Sequence, residues 1–364
     1  MKIISRLLLM VFVCHILFFY SCRKNPTESE TYESYEWEVS TPEEQGFDGE
    51  MLSNAVDEAE GKGFIASLLI VRNGFLVAEN YFSGGQSKDE AYSIRSITKS
   101  FVSALIGIAL KENYIDSLNQ RILDFFPEYV TQDMDARKFD ITIKHLLTMK
   151  AGFDRDENVD PLFDANSHWI KDTIELPLMN DPGDTFCYST MGTHLLSGII
   201  TKATGMSTLS FAEEYLCEPL QISIRVWDQD PQGVYFGGGS MDLTPRDMAR
   251  FGTLYLMHGS LDGIQILPPE WIEASIRNYT GEERTWGVLE EFGYGYLWWL
   301  GKIHDHRIYF AIGYAGQYII NIPDLDMVIV TTSIFPFTSE MADDQATSIM
   351  EFIAHHILPA VIHE

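Results

Sequence analysis

Asn73-Gly74 separates two strand-forming runs, FIASLLIVR at 64–72 and FLVAENYFSG at 75–84. Asn-Gly between apolar runs is the strongest short hairpin signal a chain carries. Four more strand-forming runs lie near the other end: YGYLWWLG (294–301), RIYFAIG (307–313), QYIINIP (317–323) and MVIVTTS (327–333), each read as one strand. Between these ends the pattern is mostly helical, over 96–112, 142–150, 190–204, 207–217 and 244–258. Further helices are expected at 50–62, from the spacing of Met51, Ala55 and Ala59, and at 340–356. The expectation is an α/β fold of the α+β type. Both chain ends build one antiparallel sheet flanked by helices, and a mostly helical region of about 113–250 is inserted between them. With 364 residues, 46% of them hydrophobic and 13% aromatic, the chain can bury a large core as one or two domains.

The first 22 residues carry Lys2 and Arg6, then the apolar LLLMVFVCHILFFY at 7–20, then Ser21-Cys22. This run is too short to span a bilayer and reads as a signal peptide. The cysteine after a small residue is similar to a bacterial lipoprotein cleavage site and makes Cys22 a candidate for lipidation; an ordinary signal peptide with an incidental cysteine is the alternative. Residues 23–45 are polar and acidic and read as a flexible tether ahead of a body at 46–360. The expected location is therefore beyond the inner membrane of a bacterium, periplasmic or anchored to a membrane through lipid on Cys22. A formal charge of −28 repels phosphate backbones and argues against nucleic acid as a partner. Cys187 and Cys217 could pair in an oxidising envelope or stay as two buried thiols.

YSIRSITKSF at 92–101 places Ser96 and Lys99 one turn apart at the start of an apolar helix. A serine is a usable nucleophile only beside a base, and lysine becomes one when burial or neighbouring positive charge disfavours its protonated form. A helix N-terminus is such a positive neighbourhood. The spacing alone decides nothing, because SCRK at 21–24 repeats it in the leader, and a serine at a helix start is also an ordinary N-cap.

Other segments decide it by their order: SITKSF (96–101), HLLTMKAGF (145–153), PGDTFCYSTMGTHLLSGII (182–200), GGGSMDLTPRDMARFG (237–252) and GYAGQ (313–317). With these the sequence resembles the serine β-lactamase and penicillin-binding-protein superfamily. The likeness is to its class C-related branch, which includes D-alanyl-D-alanine peptidases, carboxylesterases and 6-aminohexanoate-dimer hydrolases. It covers about 42–358 and implies the β-lactamase/transpeptidase-like fold. It also implies a metal-free and cofactor-free serine hydrolase with Ser96 as acylated nucleophile, Lys99 as its partner and Tyr188, opening YST, as proton shuttle. Tyr32-Glu33-Ser34 shows how cheap that short pattern is by itself. GYAGQ would stand for the family's K-T-G segment as an edge strand. The oxyanion donors would be the N–H groups of Gln317 and Ser96, with Gly316 and Gly313 allowing close passage of substrate.

Two departures bear on substrate. Thr190 stands where β-lactamases carry asparagine and Tyr314 where they carry lysine, residues that bind the side chain and carboxylate of β-lactams and D-Ala peptides. The expected substrate is therefore a neutral ester or linear amide, selected by loops such as 154–181. The rival readings are a β-lactamase or D-Ala-D-Ala carboxypeptidase, in which Arg95 or Arg155 would supply the missing cation, and a catalytically silent binding protein. His304-Asp305-His306 and His355-His356 lack the spacing of a helical zinc site and read as solvated loop and helix end. Trp298-Trp299 read as core and pocket wall.

Overall fold

A computed structural model of the chain describes residues 35–82, 87–153, 167–281 and 284–362. From the first end come strands β1 (Ile65–Arg72) and β2 (Phe75–Tyr81), joined through Asn73 at φ 53° and Gly74 at φ 83°, the paired left-handed residues of a type I′ turn. Three short strands, β3 (Tyr92–Ser93), β4 (Val226–Trp227) and β5 (Met241–Leu243), form a separate small sheet, and β6 (Ser260–Leu261) with β7 (Ile264–Gln265) a two-stranded one. From the far end come β8 (Arg284–Trp286), β9 (Leu289–Tyr294), β10 (Trp299–Ile303), β11 (His306–Gly313), β12 (Gln317–Ile322) and β13 (Met327–Ser333). The main sheet is antiparallel with order β2-β1-β13-β12-β11-β10-β9-β8. The two ends of the chain thus meet inside one sheet, β1 pairing β13 from Ile65↔Ser333 to Arg72↔Met327.

Strand alternation sends successive side chains to opposite faces. Leu68 and Ile70 join a core with Leu52, Ala55, Ile349 and Phe352, from helices α1 (Gly49–Gly61) and α11 (Ser339–Phe352). Leu69 and Val71 join the larger core on the other face, with Phe101 of α2 (Thr98–Lys111) and Phe251 of α9 (Pro245–Leu256). The two phenylalanines stack at 3.7 Å. Every residue of α2 from Thr98 to Ala109 is buried, which its unbroken apolar sequence requires. The helical region adds α3 (Ile122–Phe125), α4 (Ile143–Leu147), α5 (Trp169–Glu175), α6 (Thr190–Thr204), α7 (Thr208–Ala212), α8 (Glu218–Leu220) and α10 (Pro269–Ser275). Among the described residues no helix is long and apolar enough to cross a membrane.

Four expectations are corrected. The run 294–301 is not one strand but a hairpin, β9 ending at Tyr294 and β10 starting at Trp299. Its turn is closed by the Gly295 N–H on the Trp298 carbonyl and pinned to the body by the Leu297 N–H on Leu147 O. GYAGQ is likewise a turn, with Gly313 opposite Gln317 across the β11–β12 hairpin. Ser96 lies in a short 3-10 turn, Arg95–Ile97, ahead of α2 rather than in its first turn. The helix at 207–217 changes at Glu213 into a π-helical stretch, Glu213–Cys217. The segment 23–45 is described from residue 35, where it lies on the body. Trp37 is buried, Val39 bridges Leu76, and the Arg250 guanidinium sits 3.5 Å over the Tyr35 ring. Signal peptide and Cys22 lie outside the described residues.

Candidate active site

The turn carrying Ser96 is held from three sides. The Ile94 N–H donates to Met241 O of β5, Thr98 Oγ1 donates to Arg95 O, and Gly313 presses its Cα against the turn. Arg95 adopts φ 53°, a left-handed conformation that costs a non-glycine residue energy and persists where surrounding structure enforces it. A side chain at Gly313 would overlap Ile94 O and meet Arg95 Cβ at 3.1 Å, so glycine is required for this approach.

Lys99, in the first turn of α2, is 1% exposed. Its Nζ donates to Ser96 Oγ at 2.9 Å and to the Gly238 carbonyl at 2.7 Å. The Tyr188 ring lies beneath it, 5.0 Å from Nζ to centroid. Among the described residues no carboxylate lies within ion-pair distance of Lys99, so its partners are the serine, a carbonyl dipole and an aromatic face.

Tyr188 sits on the extended segment entering α6. The Cys187 N–H donates to Met149 O and the Ser189 N–H to Met149 Sδ, while Ser189 caps α6 through the Gly192 N–H. The ring stacks on Trp299 at 5.7 Å and 20° and meets Tyr294 edge-on at 6.3 Å. Burial, and next the neighbouring Tyr188, push the Tyr294 phenol well above its usual range, so it stays neutral. Trp299 continues into Phe292, stacked at 5.0 Å, so an aromatic wall runs from the site across β10 and β9. Trp298 faces the other way into the core.

Thr190 opens α6, and its carbonyl and methyl pack on Gly238; a Cβ there would lie 2.8 Å from Thr190 O. Ser96, Lys99, Tyr188 and Thr190 therefore surround one point. A Cβ at Gly316 would run into Ile349 of α11, and the Gln317 side-chain amide is tied to the Ser333 backbone and Tyr314 O. The backbone that presses on the nucleophile turn is the end of β11, with Gln317 opposite Gly313 at the start of β12. There β10 pairing stops at Trp299↔Phe310, leaving Ala311 to Gly313 with β12 alone. Among the described residues the N–H groups of Ser96 and Tyr314 find no acceptor. Tyr314 is 41% exposed and shares the rim with Phe335, which carries the Arg95 guanidinium at 4.1 Å over its ring. Arg155 lies outside the described residues.

Gly238 as the acceptor for Lys99 was not read from the sequence, although three successive glycines signalled a backbone that something approaches closely. A buried pair was missed altogether: His194 Nε2 lies 3.0 Å from Asp230 Oδ2, neither side chain exposed. His306 pairs Asp324 at 2.6 Å and His304 meets Ala354 O at 3.0 Å. Among the described residues no three His, Cys, Asp or Glu side chains are grouped to hold a metal. Cys187 and Cys217 are both free thiols, and burial pushes the Cys217 thiol well above its usual range.

The model of one protein family, described as Beta-lactamase, matches residues 56–351. The 6-aminohexanoate-dimer hydrolase of Paenarthrobacter ureafaciens is 25% identical over 294 residues, 74% of this chain and 72% of its own length. Several other curated relatives are matched over less than half of theirs. Among solved structures, a putative 6-aminohexanoate-dimer hydrolase from Bacillus anthracis superposes with a TM-score of 0.70 at 22% identity, over 92% of this chain and 91% of that one. A putative beta-lactamase from Bacteroides dorei gives 0.65 at 17% identity, over 84% and 98%.

Proposed function

The chain belongs to the beta-lactamase family and is a serine hydrolase, and on that premise we propose that it cleaves a neutral ester or linear amide through an acyl-enzyme on Ser96. The observation that carries this reading is the position of Lys99 Nζ, in contact at once with Ser96 Oγ, Gly238 O and the Tyr188 ring. In the proposed sequence Ser96 Oγ bonds the substrate carbonyl carbon, the carbonyl π pair moves onto its oxygen, and the serine proton passes to the basic member of the Lys99–Tyr188 pair. The oxyanion is received by two donors free of other partners, the N–H groups of Ser96 and Tyr314. The Gln317 N–H, opposite Gly313 at the start of β12, is the alternative to that of Tyr314. As the carbon–oxygen or carbon–nitrogen bond breaks, the pair returns the proton to the leaving alcohol or amine. Water then takes the place of that group and frees Ser96.

The neutral-substrate assignment rests on Tyr314 and Thr190 standing where β-lactamases bear lysine and asparagine, and on the aromatic wall of Tyr188, Trp299 and Phe292. A relative named for a 6-aminohexanoate dimer, itself a linear amide, supports the amide arm. The test is covalent labelling with a fluorophosphonate, then turnover of aryl esters, linear amides and a chromogenic cephalosporin. Labelling that Ser96→Ala abolishes is expected; labelling that survives the change moves the nucleophile away from Ser96, and none in the native protein overturns the reading in favour of a silent binding protein. For location, lipid on Cys22 and export across the inner membrane are proposed from residues 1–22. Cys22→Ser should release the protein from membranes with hydrolysis intact, and equal retention of both forms would remove the anchor.

A further inference from the structure

The carbonyl that holds Lys99 belongs to a loop with its own anchor. Gly237 and Gly238 lie on the first turns of α6, where a Cβ at Gly237 would come within 2.7 Å of Thr193 O. The Gly237 N–H donates to His194 Nδ1 at 3.4 Å. A ring nitrogen that accepts carries no proton, so the proton of His194 is on Nε2, which donates to Asp230 Oδ2 at 3.0 Å. Asp230 is fixed in turn, its Oδ1 accepting the Gln232 and Val234 N–H groups at 2.8 Å each. Burial alone would raise the Asp230 carboxyl, but the bonds from His194 and from the loop outweigh it and hold the group ionised below its usual range. The imidazole is packed edge-on between Trp169 at 5.5 Å and Phe236 at 5.7 Å, so the ring cannot turn away from either partner.

Other bonds fix the loop upstream, Ser197 Oγ on Tyr235 O and Trp227 Nε1 on Phe236 O. His194 is the side chain hydrogen-bonded to Gly237, the residue joined to Gly238. It also stands on α6, the helix whose N-terminal lead-in carries Tyr188. We propose that His194, oriented by Asp230, is a positioning residue for the reaction at Ser96. It locks the Gly238 carbonyl to α6, so that the carbonyl holding Lys99 and the phenol beside Lys99 are placed by one helix. The inference rests on the reading of Ser96 and Lys99 as the reacting pair.

The experiment compares the full-length wild type with His194→Phe, which keeps the ring packing and loses both hydrogen bonds, and His194→Asn, whose amide oxygen can stand in for Nδ1. Each is followed by the rate of fluorophosphonate labelling at Ser96, by kcat and KM for an aryl ester, and by thermal unfolding. The loss expected in His194→Phe is about tenfold or more in kcat and labelling rate with KM within about twofold, since a misplaced group costs rate rather than ground-state binding. His194→Asn should recover part of that loss even where its Tm is no higher. Wild-type kcat in either folded variant, or no difference between the two beyond Tm, overturns the proposal. If His194→Phe does not fold, Asp230→Asn takes its place against His194→Asn, with a loss in kcat expected and wild-type kcat overturning. Failure of the wild type itself to label at Ser96 is a different result, which brings down the underlying reading instead.

Discussion

Ser96 and Gly238 meet at a single buried amine nitrogen, the Lys99 Nζ lying 2.9 Å from the serine oxygen and 2.7 Å from the glycine carbonyl. Both oxygens are acceptors, so the lysine is aimed by two bonds from opposite sides, and the Tyr188 ring closes a third. The geometry makes the roles of the surrounding groups separable by substitution.

Tyr188→Phe keeps the ring stacked on Trp299 and removes only the hydroxyl. The variant should fold with a Tm close to wild type and turn over more slowly by roughly 10²–10⁴-fold, the range for losing a general acid–base. Steady-state kinetics beside a melting curve checks it, and full activity would place the proton route elsewhere.

Gly313→Ala puts a methyl group into Ile94 O and pushes the nucleophile turn away from β11. Overpacking of this kind costs about 1–3 kcal/mol, while a displacement near 1 Å at the reacting atoms costs on the order of 10²-fold in rate. Gly316→Ala meets Ile349 on the far side of the hairpin and strains φ 90°, so it should lower stability at least as much and activity far less. Equal rate losses in the two variants would contradict the placement of the oxyanion donor at the β11 end.

For substrates, aryl esters should have a higher kcat/KM than penicillins or D-Ala-D-Ala peptides. Tyr314→Lys should shift the ratio toward anionic substrates by about one to two decades, the worth of a hydrogen bond to a charged group. A native preference for a β-lactam by a decade or more would transfer the contact to Arg95, beside Phe335 on the rim, and with it the assignment to the β-lactamase reading.

Asp247, in the first turn of α9, is pushed up to about 6 by burial, with Thr244 and Arg225 offsetting part of the effect. The folded state therefore binds this proton more tightly than the unfolded chain, whose aspartate titrates near 3.9. Its contribution to stability is full below about pH 4, declines as the pH rises through 6, and stays lost above that. Two units correspond to roughly 3 kcal/mol. Asp247→Asn should melt higher than wild type at pH 7–8 and lose most of the advantage at pH 4; parallel Tm curves across that range would exclude the effect.

Ser96, Lys99 and Tyr188 could be singled out in the sequence because the order of several motifs along the chain resembles one superfamily, whereas their short spacings alone recur at 21–24 and 32–34. The β1–β2 hairpin was legible locally, since Asn73-Gly74 has few other uses. The turn at 295–298 was not. Its residues Tyr296, Leu297 and Trp298 are buried, so the apolar pattern continues through the reversal and hides it. Gly238 and the His194–Asp230 pair were illegible for another reason. Their partners are 139 and 36 residues away, and nothing local says which carbonyl or carboxylate a buried side chain will meet. Only the close approach that three glycines permit left a trace.

The pairing of β1 with β13 has a consequence for how the protein comes into being. Ile65 finds its partner at Ser333, so a chain emerging from the ribosome carries its nucleophile turn long before the sheet that supports it can close. Until residues 327–333 arrive, β1 presents an open, apolar edge to any other strand nearby, and β11 and β12 have nowhere to dock. Closing a loop of this size makes folding slow and leaves it to the last strand. A fragment cut short of Met327 lacks the strand that closes the sheet and should therefore show no activity and associate through β1.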